Sequence, residues 1–203
     1  MIDYFAELGP AGDPVADVRR FYKTAHRLDT LEHVTAVAKV AVELAVQHGA
    51  DCAKASLAAL AHDLAVVVPL AQTLAVAEDM GLLLDGADRA IRPVLHGPIA
   101  AAALSKKLDI RDQDLLNAVR YHSTLRAGAS VLEKIVFVAD KIAYDPTSSH
   151  RGEYVPALRA ARSLDEAALV YLTFLRLNVS RYGGVMHPNA AAAYRELTER
   201  VAR

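Results

Sequence analysis

Long alanine-rich apolar stretches, interrupted mainly by residues of the kind that begin helices, leave this chain few folds other than a helical one. Hydrophobic residues make up 53% of it, and only 10 glycines and 8 prolines are spread over 203 positions, so little breaks a helix once it has started. A chain of this length buries a full core without disulfides or a structural metal. The expectation is an all-α protein, a single-domain helical bundle, with residues 1–28 as a helical segment packed on a body of residues 29–203.

Start and stop signals divide the chain. Asp13-Pro14 supplies a cap and a first-turn proline for a helix to about His26. Asp29 and Glu32 have capping-box spacing ahead of Val34, Val37, Ala38, Ala41 and Leu44, with an end at His48-Gly49. Asp51 caps a helix from Ala53 to about Ala65 that carries His62 and Asp63 near its end, and Pro69 opens another through Met80-Gly81. His96-Gly97-Pro98 starts a helix over Ile99 to Leu108, and Asp112 starts one reaching His122. Ile135 to Ala143 is apolar enough to be a strand by composition, but the Ser130-Glu133 box ahead of it favours helix. Asp145 to Gly152 reads as a surface loop, Ser163-Glu166 as a third box before Ala167 to Tyr182, and Pro188 as the opening of a last helix.

Charge and cysteine content narrow the function classes. With 23 Lys and Arg against 24 Asp and Glu, the formal net charge of −1 provides no positive field for holding nucleic acid. The single cysteine, Cys52, excludes an intramolecular disulfide framework and fits a reducing cytoplasm. No basic region followed by an apolar run opens the chain, and no apolar run approaches the ~20 residues of a membrane span. A cytoplasmic protein without membrane attachment is expected, and a homodimer is left open.

Several polar residues fall on apolar helical faces. His33 shares a stripe with Val37, Val40, Ala41 and Leu44; His122 stands behind Leu115, Ala118 and Val119; Asp140 follows Leu132 and Val136. A buried carboxylate must neutralise or find a cation, and a metal is the simplest partner these residues could share. Taken singly, an inward histidine is more often bonded to a backbone carbonyl than to a metal. Adjacent helical residues diverge by roughly 100°, so His62 and Asp63 can flank one ion only near a helix end. His26, His48, His150 and His187 lie at ends or in loops and are left out of the site.

The ordered set His33, His62-Asp63, His96, His122 and Asp140 resembles the HD-domain metal-dependent phosphohydrolases. Leu95-His96-Gly97-Pro98, Tyr121-His122-Ser123-Thr124 and Val138-Ala139-Asp140-Lys141-Ile142 are most similar to the bacterial symmetrical bis(5'-nucleosyl)-tetraphosphatases, and the likeness runs from about Asp29 to Tyr194. The resemblance implies an HD-domain helical bundle that hydrolyses diadenosine tetraphosphate to two ADP through a metal-bound hydroxide, with His62 and Asp63 as the catalytic pair. It implies two divalent metal ions, iron in the family, while imidazole and carboxylate ligands equally suit manganese or zinc. His33, His62, Asp63 and Asp140 would hold one ion, and Asp63 would bridge to a second held by His96 and His122.

The chain departs from the family pattern at substrate-facing positions. Thr30 stands where an arginine is usual, Val66 where a lysine is usual, and Leu125 where a glycine is usual. Ala143-Tyr144-Asp145-Pro146 replaces a Glu-Pro-any-Arg run, and these departures leave open an HD hydrolase of another nucleotide, or a metal-containing binding or regulatory module without catalysis. The cations left near the motifs, Lys141, Arg126 and Arg151, are the expected contacts to the phosphates of a nucleotide substrate, with exposed surface charge as the alternative.

Overall fold

The computed structural model describes residues 2–143, 151–182 and 184–202, and places eleven α-helices and no strand among them. They are α1 (Pro14–Thr24), α2 (Leu28–His48), α3 (Cys52–Ala61), α4 (Thr73–Asp79), α5 (Gly86–Ala90), α6 (His96–Leu108), α7 (Gln113–Arg120), α8 (Val131–Ile142), α9 (Val155–Ala160), α10 (Leu164–Leu177) and α11 (Pro188–Val201). The all-α single domain expected from the patterning is what forms.

Most caps act as the sequence indicates. The Asp13 carboxylate accepts from the Val15 amide, Asp51 from Ala53 and Lys54, and Asp112 from Asp114 and Leu115. Ser130 and Glu133 make a full reciprocal box, which settles Ile135 to Ala143 as helix. Two boxes behave differently. Arg27, not Asp29, holds the cap position of α2 without a side-chain bond, and Asp29 sits in the first turn, where its charge meets the helix dipole instead. Ser163 accepts from the Glu166 amide, but the Glu166 carboxylate reaches the Arg162 amide, so that box closes one residue early.

Several helices are shorter than the sequence indicates. The segment after Pro69 begins as a 3₁₀ turn over Leu70–Gln72, and the one after Ser163 ends at Leu177 with a 3₁₀ turn over Val179–Tyr182. The Asp85-Asp88 capping box that opens α5 was not anticipated from the sequence. The loop expected from Asp145 to Gly152 lies outside the described residues up to 150, and Arg151–Glu153 form a 3₁₀ turn.

Helix α8 is the axis of the core: Ile135 through Ala139 are all buried, which a helix shows only when neighbours cover its whole circumference. Helices α2, α3, α7, α9 and α10 supply that cover, and α1 packs on α2 and α3. Among the described residues no single helix is long and apolar enough to cross a membrane, while a bent pair, Cys52–Val67 with Leu70–Asp79, passes on length and composition alone. The arm that includes α3 belongs to the core, with Leu57 through Ala61 buried.

Candidate metal centre

The His62-Asp63 pair sits just past a helix, not on one. Helix α3 stops at Ala61, Asp63 leaves helical geometry at φ −102° and ψ 17°, and a 3₁₀ turn over Leu64–Val67 follows. The expectation that this helix runs to about Ala65 is therefore corrected, and the reason lies in two side chains, one local and one distant. The carbonyls that a longer helix would give to the amides of Asp63 and Leu64 are taken by side chains: His62 Nδ1 donates to Ala59 O at 2.7 Å, and the Tyr22 hydroxyl donates to Leu60 O at 3.3 Å. Breaking the helix there lets two adjacent side chains converge on one space. Helix α7 likewise ends at Arg120, short of His122, whose Nδ1 turns back to donate to Val119 O at 2.8 Å.

The six expected residues come together. Asp63 lies in the middle, its Oδ2 3.4 Å from His62 Nε2 and 3.9 Å from His33 Nε2, its Oδ1 3.3 Å from His96 Nε2 and 3.7 Å from His122 Nε2. Asp140 Oδ1 completes the first group, 3.2 Å from His33 Nε2 and 3.6 Å from His62 Nε2. A cation with bonds of ~2.0–2.2 Å holds neighbouring ligand atoms about 3.0–3.4 Å apart in tetrahedral or octahedral geometry, so these spacings are of ligand-shell size. Two sets of ligand atoms capable of holding an ion, His33-His62-Asp63 and Asp63-His96-His122, share the one carboxylate.

The proton positions favour a cation as well. His62, His96 and His122 each direct Nδ1 at a carbonyl, of Ala59, Pro93 and Val119, and a carbonyl can only accept. In its neutral form each ring therefore turns an Nε2 lone pair inward. His96 and His122 then face each other with lone pairs 2.8 Å apart, a repulsive contact unless a cation lies against both, and the single Ser123 hydroxyl proton can serve only one of them. His62, only 1% exposed, has no hydrogen-bond partner for Nε2. The donor set fits a divalent metal on both counts.

Electrostatics agree. Burial pushes the Asp63 carboxyl up, but the surrounding histidines, His62 foremost, hold it well below the usual carboxylate range. Asp140 is likewise pushed up by burial and held well below that range by Lys141, His33 and His62. Burial pushes His62 down, yet Asp63 and Asp140 prevail and raise it to about 10. His122 goes the other way: burial and positive charge on His62 and His96 push it well below its ordinary value. Two ionised carboxylates among histidines make a pocket that attracts positive charge.

A third group, Asp85, Asp88 and His187, is also close enough in space to hold an ion, but its chemistry differs. His187 Nδ1 accepts from the Asn189 amide, so Nε2 carries the proton and donates to Asp88 at 3.4 Å, leaving no lone pair for a metal.

The expected phosphate contacts fare less well. Arg126 spends its fork on Glu133, Nε and Nη2 donating at 2.8 and 2.6 Å to a carboxylate only 1% exposed. The Lys141 ammonium donates to Asp140 and to His122 O. Both cations are thus bonded to groups of the protein itself, Lys141 in a buried position and Arg126 in a partly exposed one. The Arg151 side chain lies outside what the structure describes. Of two residues that matter locally, Ser123 stands in the Tyr121-His122-Ser123-Thr124 motif without a role assigned to it, and Tyr22 carries no signal in the sequence.

The chain's likeness to known proteins agrees with this geometry. Residues 30–145 match the model of the HD domain. A Bacillus subtilis protein named bis(5'-nucleosyl)-tetraphosphatase, symmetrical, is 38% identical over 114 residues, 54% of this chain and 59% of that protein, so the match spans less than two thirds of it. A Halalkalibacterium halodurans protein of the same name is 30% identical over 178 residues, 86% of this chain and 90% of the relative. A crystal structure from Clostridium acetobutylicum, described as a predicted HD superfamily hydrolase involved in NAD metabolism, superposes with a TM-score of 0.82 at 29% identity, covering 91% of this chain and 97% of that one. With an HD-domain match over more than half its length, and a relative aligned almost end to end, the chain belongs to the HD-domain family of metal-dependent phosphohydrolases.

Proposed function

We propose that this protein hydrolyses a dinucleoside polyphosphate, diadenosine tetraphosphate to two ADP, at a centre of two divalent ions. The observation that carries the two-ion reading is Asp63, whose two carboxylate oxygens face separate histidine sets. The names of the Bacillus and Halalkalibacterium relatives support the substrate. His33, His62, Asp63 and Asp140 would hold one ion, and Asp63, His96 and His122 the other. When bound, a pair of divalent ions supplies Lewis-acid neutralisation of phosphate charge and acidifies water. Nitrogen and oxygen donors without a thiolate suit iron, manganese or zinc, with iron favoured by the family resemblance.

The chain's own part is preorganisation. Three backbone carbonyls hold Nδ1–H on His62, His96 and His122, so Nε2 is the atom each ring turns toward an ion, and His62 gives up its Nε2 proton when one binds. Buried surroundings strengthen every charge interaction with the substrate phosphates. A nucleoside diphosphate is a good leaving group, so hydrolysis needs little general-acid help, and Val66 in place of a lysine is compatible with turnover.

The commitment of Arg126 and Lys141 inside the protein favours one alternative, an HD hydrolase of another nucleotide whose phosphates are met by other groups. Incubating anaerobically purified, metal-replete protein with diadenosine tetraphosphate separates the two. ADP as sole product is expected; AMP with ATP, or turnover of other nucleotides alone, refutes the proposal. Elemental analysis should return two metals per chain, and both His62→Ala and Asp63→Ala should lose metal and activity together.

A further inference from the structure

Lys141 follows a ligand of the candidate centre, yet its side chain does not extend toward solvent. It is 10% exposed, and its ammonium lies 4.9 Å from the Phe137 ring centroid and 5.2 Å from that of Tyr171. From there Nζ donates to Asp140 Oδ2 and, at 3.1 Å, to the backbone carbonyl of His122. Asp140 belongs to the group on His33 and His62, and His122 to the group on His96. One buried cation thus bonds to both halves.

We propose that Lys141 is a positioning residue that braces the metal centre, tying the Asp140 carboxylate of one half to the backbone of His122 in the other. Holding Oδ2 fixes the carboxylate plane and aims Oδ1 at His33 and His62, 3.2 and 3.6 Å away. Holding the His122 carbonyl keeps α8 registered against the turn that follows α7. The two aromatic rings exclude water from the ammonium and stabilise its charge. A substrate phosphate could take this lysine only by leaving Asp140 partly unpaired in a buried site, which is costly.

The inference rests on the two-ion reading above, and its test uses Mn2+ binding to metal-free protein, so it stands apart from substrate choice. Lys141→Met should weaken Mn2+ binding at both equivalents by about 10–100-fold, the usual loss when a group supporting a ligand is removed. The KM of the Mn2+-saturated variant should stay within about threefold of wild type. Lys141→Arg, which keeps the charge, should bind Mn2+ with intermediate affinity. Wild-type Mn2+ affinity in Lys141→Met with a raised KM would show a phosphate contact and overturn the proposal. So would unchanged Mn2+ affinity accompanied by a lower melting temperature, the mark of a purely structural role. Should Lys141→Met fail to fold, wild-type Mn2+ affinity in Lys141→Arg overturns it. Wild-type protein that takes up no Mn2+ refutes the two-ion reading, and the brace with it.

Discussion

Gly97 packs against the end of α7, beside His96 and the turn that carries His122, and replacing it by alanine forces α6 and α7 apart by a calculable amount. A Cβ there would stand 2.6 Å from Arg120 O and 3.2 Å from Val119 O, both main-chain atoms that cannot rotate away. Ordinary contact needs about 3.4 Å, so the α6 and α7 backbones must part by roughly 0.5–1 Å. Strain of that kind typically costs ~1–3 kcal/mol, against which alanine's better helix propensity returns at most about 1 kcal/mol. For a chain of this size, a net loss of 1–2 kcal/mol lowers Tm by roughly 2–8 °C. The sharper consequence is at the metal. Val119 O is also the acceptor that orients His122 Nδ1, and His96 adjoins Gly97, so the 2.8 Å spacing of the two Nε2 atoms opens with the helices. Gly97→Ala should therefore lose the ion at Asp63-His96-His122 first and keep the one at His33-His62-Asp63-Asp140. Calorimetric melting together with elemental analysis reads both effects. Wild-type Tm with two full equivalents of metal would refute the reasoning.

Two further outcomes follow from the site. Arg126→Ala leaves the Glu133 carboxylate buried without its partner, so it should lower stability by about 2–3 kcal/mol in denaturant melts and leave KM nearly unchanged; a raised KM at unchanged stability would return Arg126 to the substrate. His62, raised to about 10 in the metal-free protein, carries a proton at pH 7 that a metal must displace. That proton stabilises the metal-free fold fully below about pH 6.5, and the stabilisation is lost as pH rises through about 10. Metal affinity runs the opposite way, climbing by up to tenfold per pH unit for each proton displaced. Calorimetric Mn2+ titrations in buffers of different ionisation heat should show proton release near neutral pH, and identical heats in all buffers would exclude it.

Helix content and most caps were legible in the sequence because each depends on neighbours within a turn or two, while the six candidate site residues were picked out by their resemblance to the HD-domain pattern. Asp13, Asp51, Asp112 and Ser130 bond to amides two or three residues away, and apolar periodicity alone turns His33 and Asp140 inward. What periodicity could not show is where a helix is stopped from outside. Helix α3 ends at Ala61 in part because Tyr22, 38 residues earlier, takes the Leu60 carbonyl. Leu125 is similar: it stands where the family usually has glycine and adopts that backbone, at φ +56°, while its side chain is buried in the core. Burial of a leucine is worth ~1.5–3 kcal/mol, enough to offset the ~1–2 kcal/mol of a left-handed residue. Lys141 and Arg126 show the same division. Their charge and place beside the motifs suggested substrate, and only the tertiary structure shows Asp140, the His122 carbonyl and Glu133 within reach, because a long side chain bonds to the partner that packing brings to it. Likeness to the HD-domain pattern names the six candidate residues, and packing decides which side chains meet around Asp63 and which, like Lys141, bond to the others.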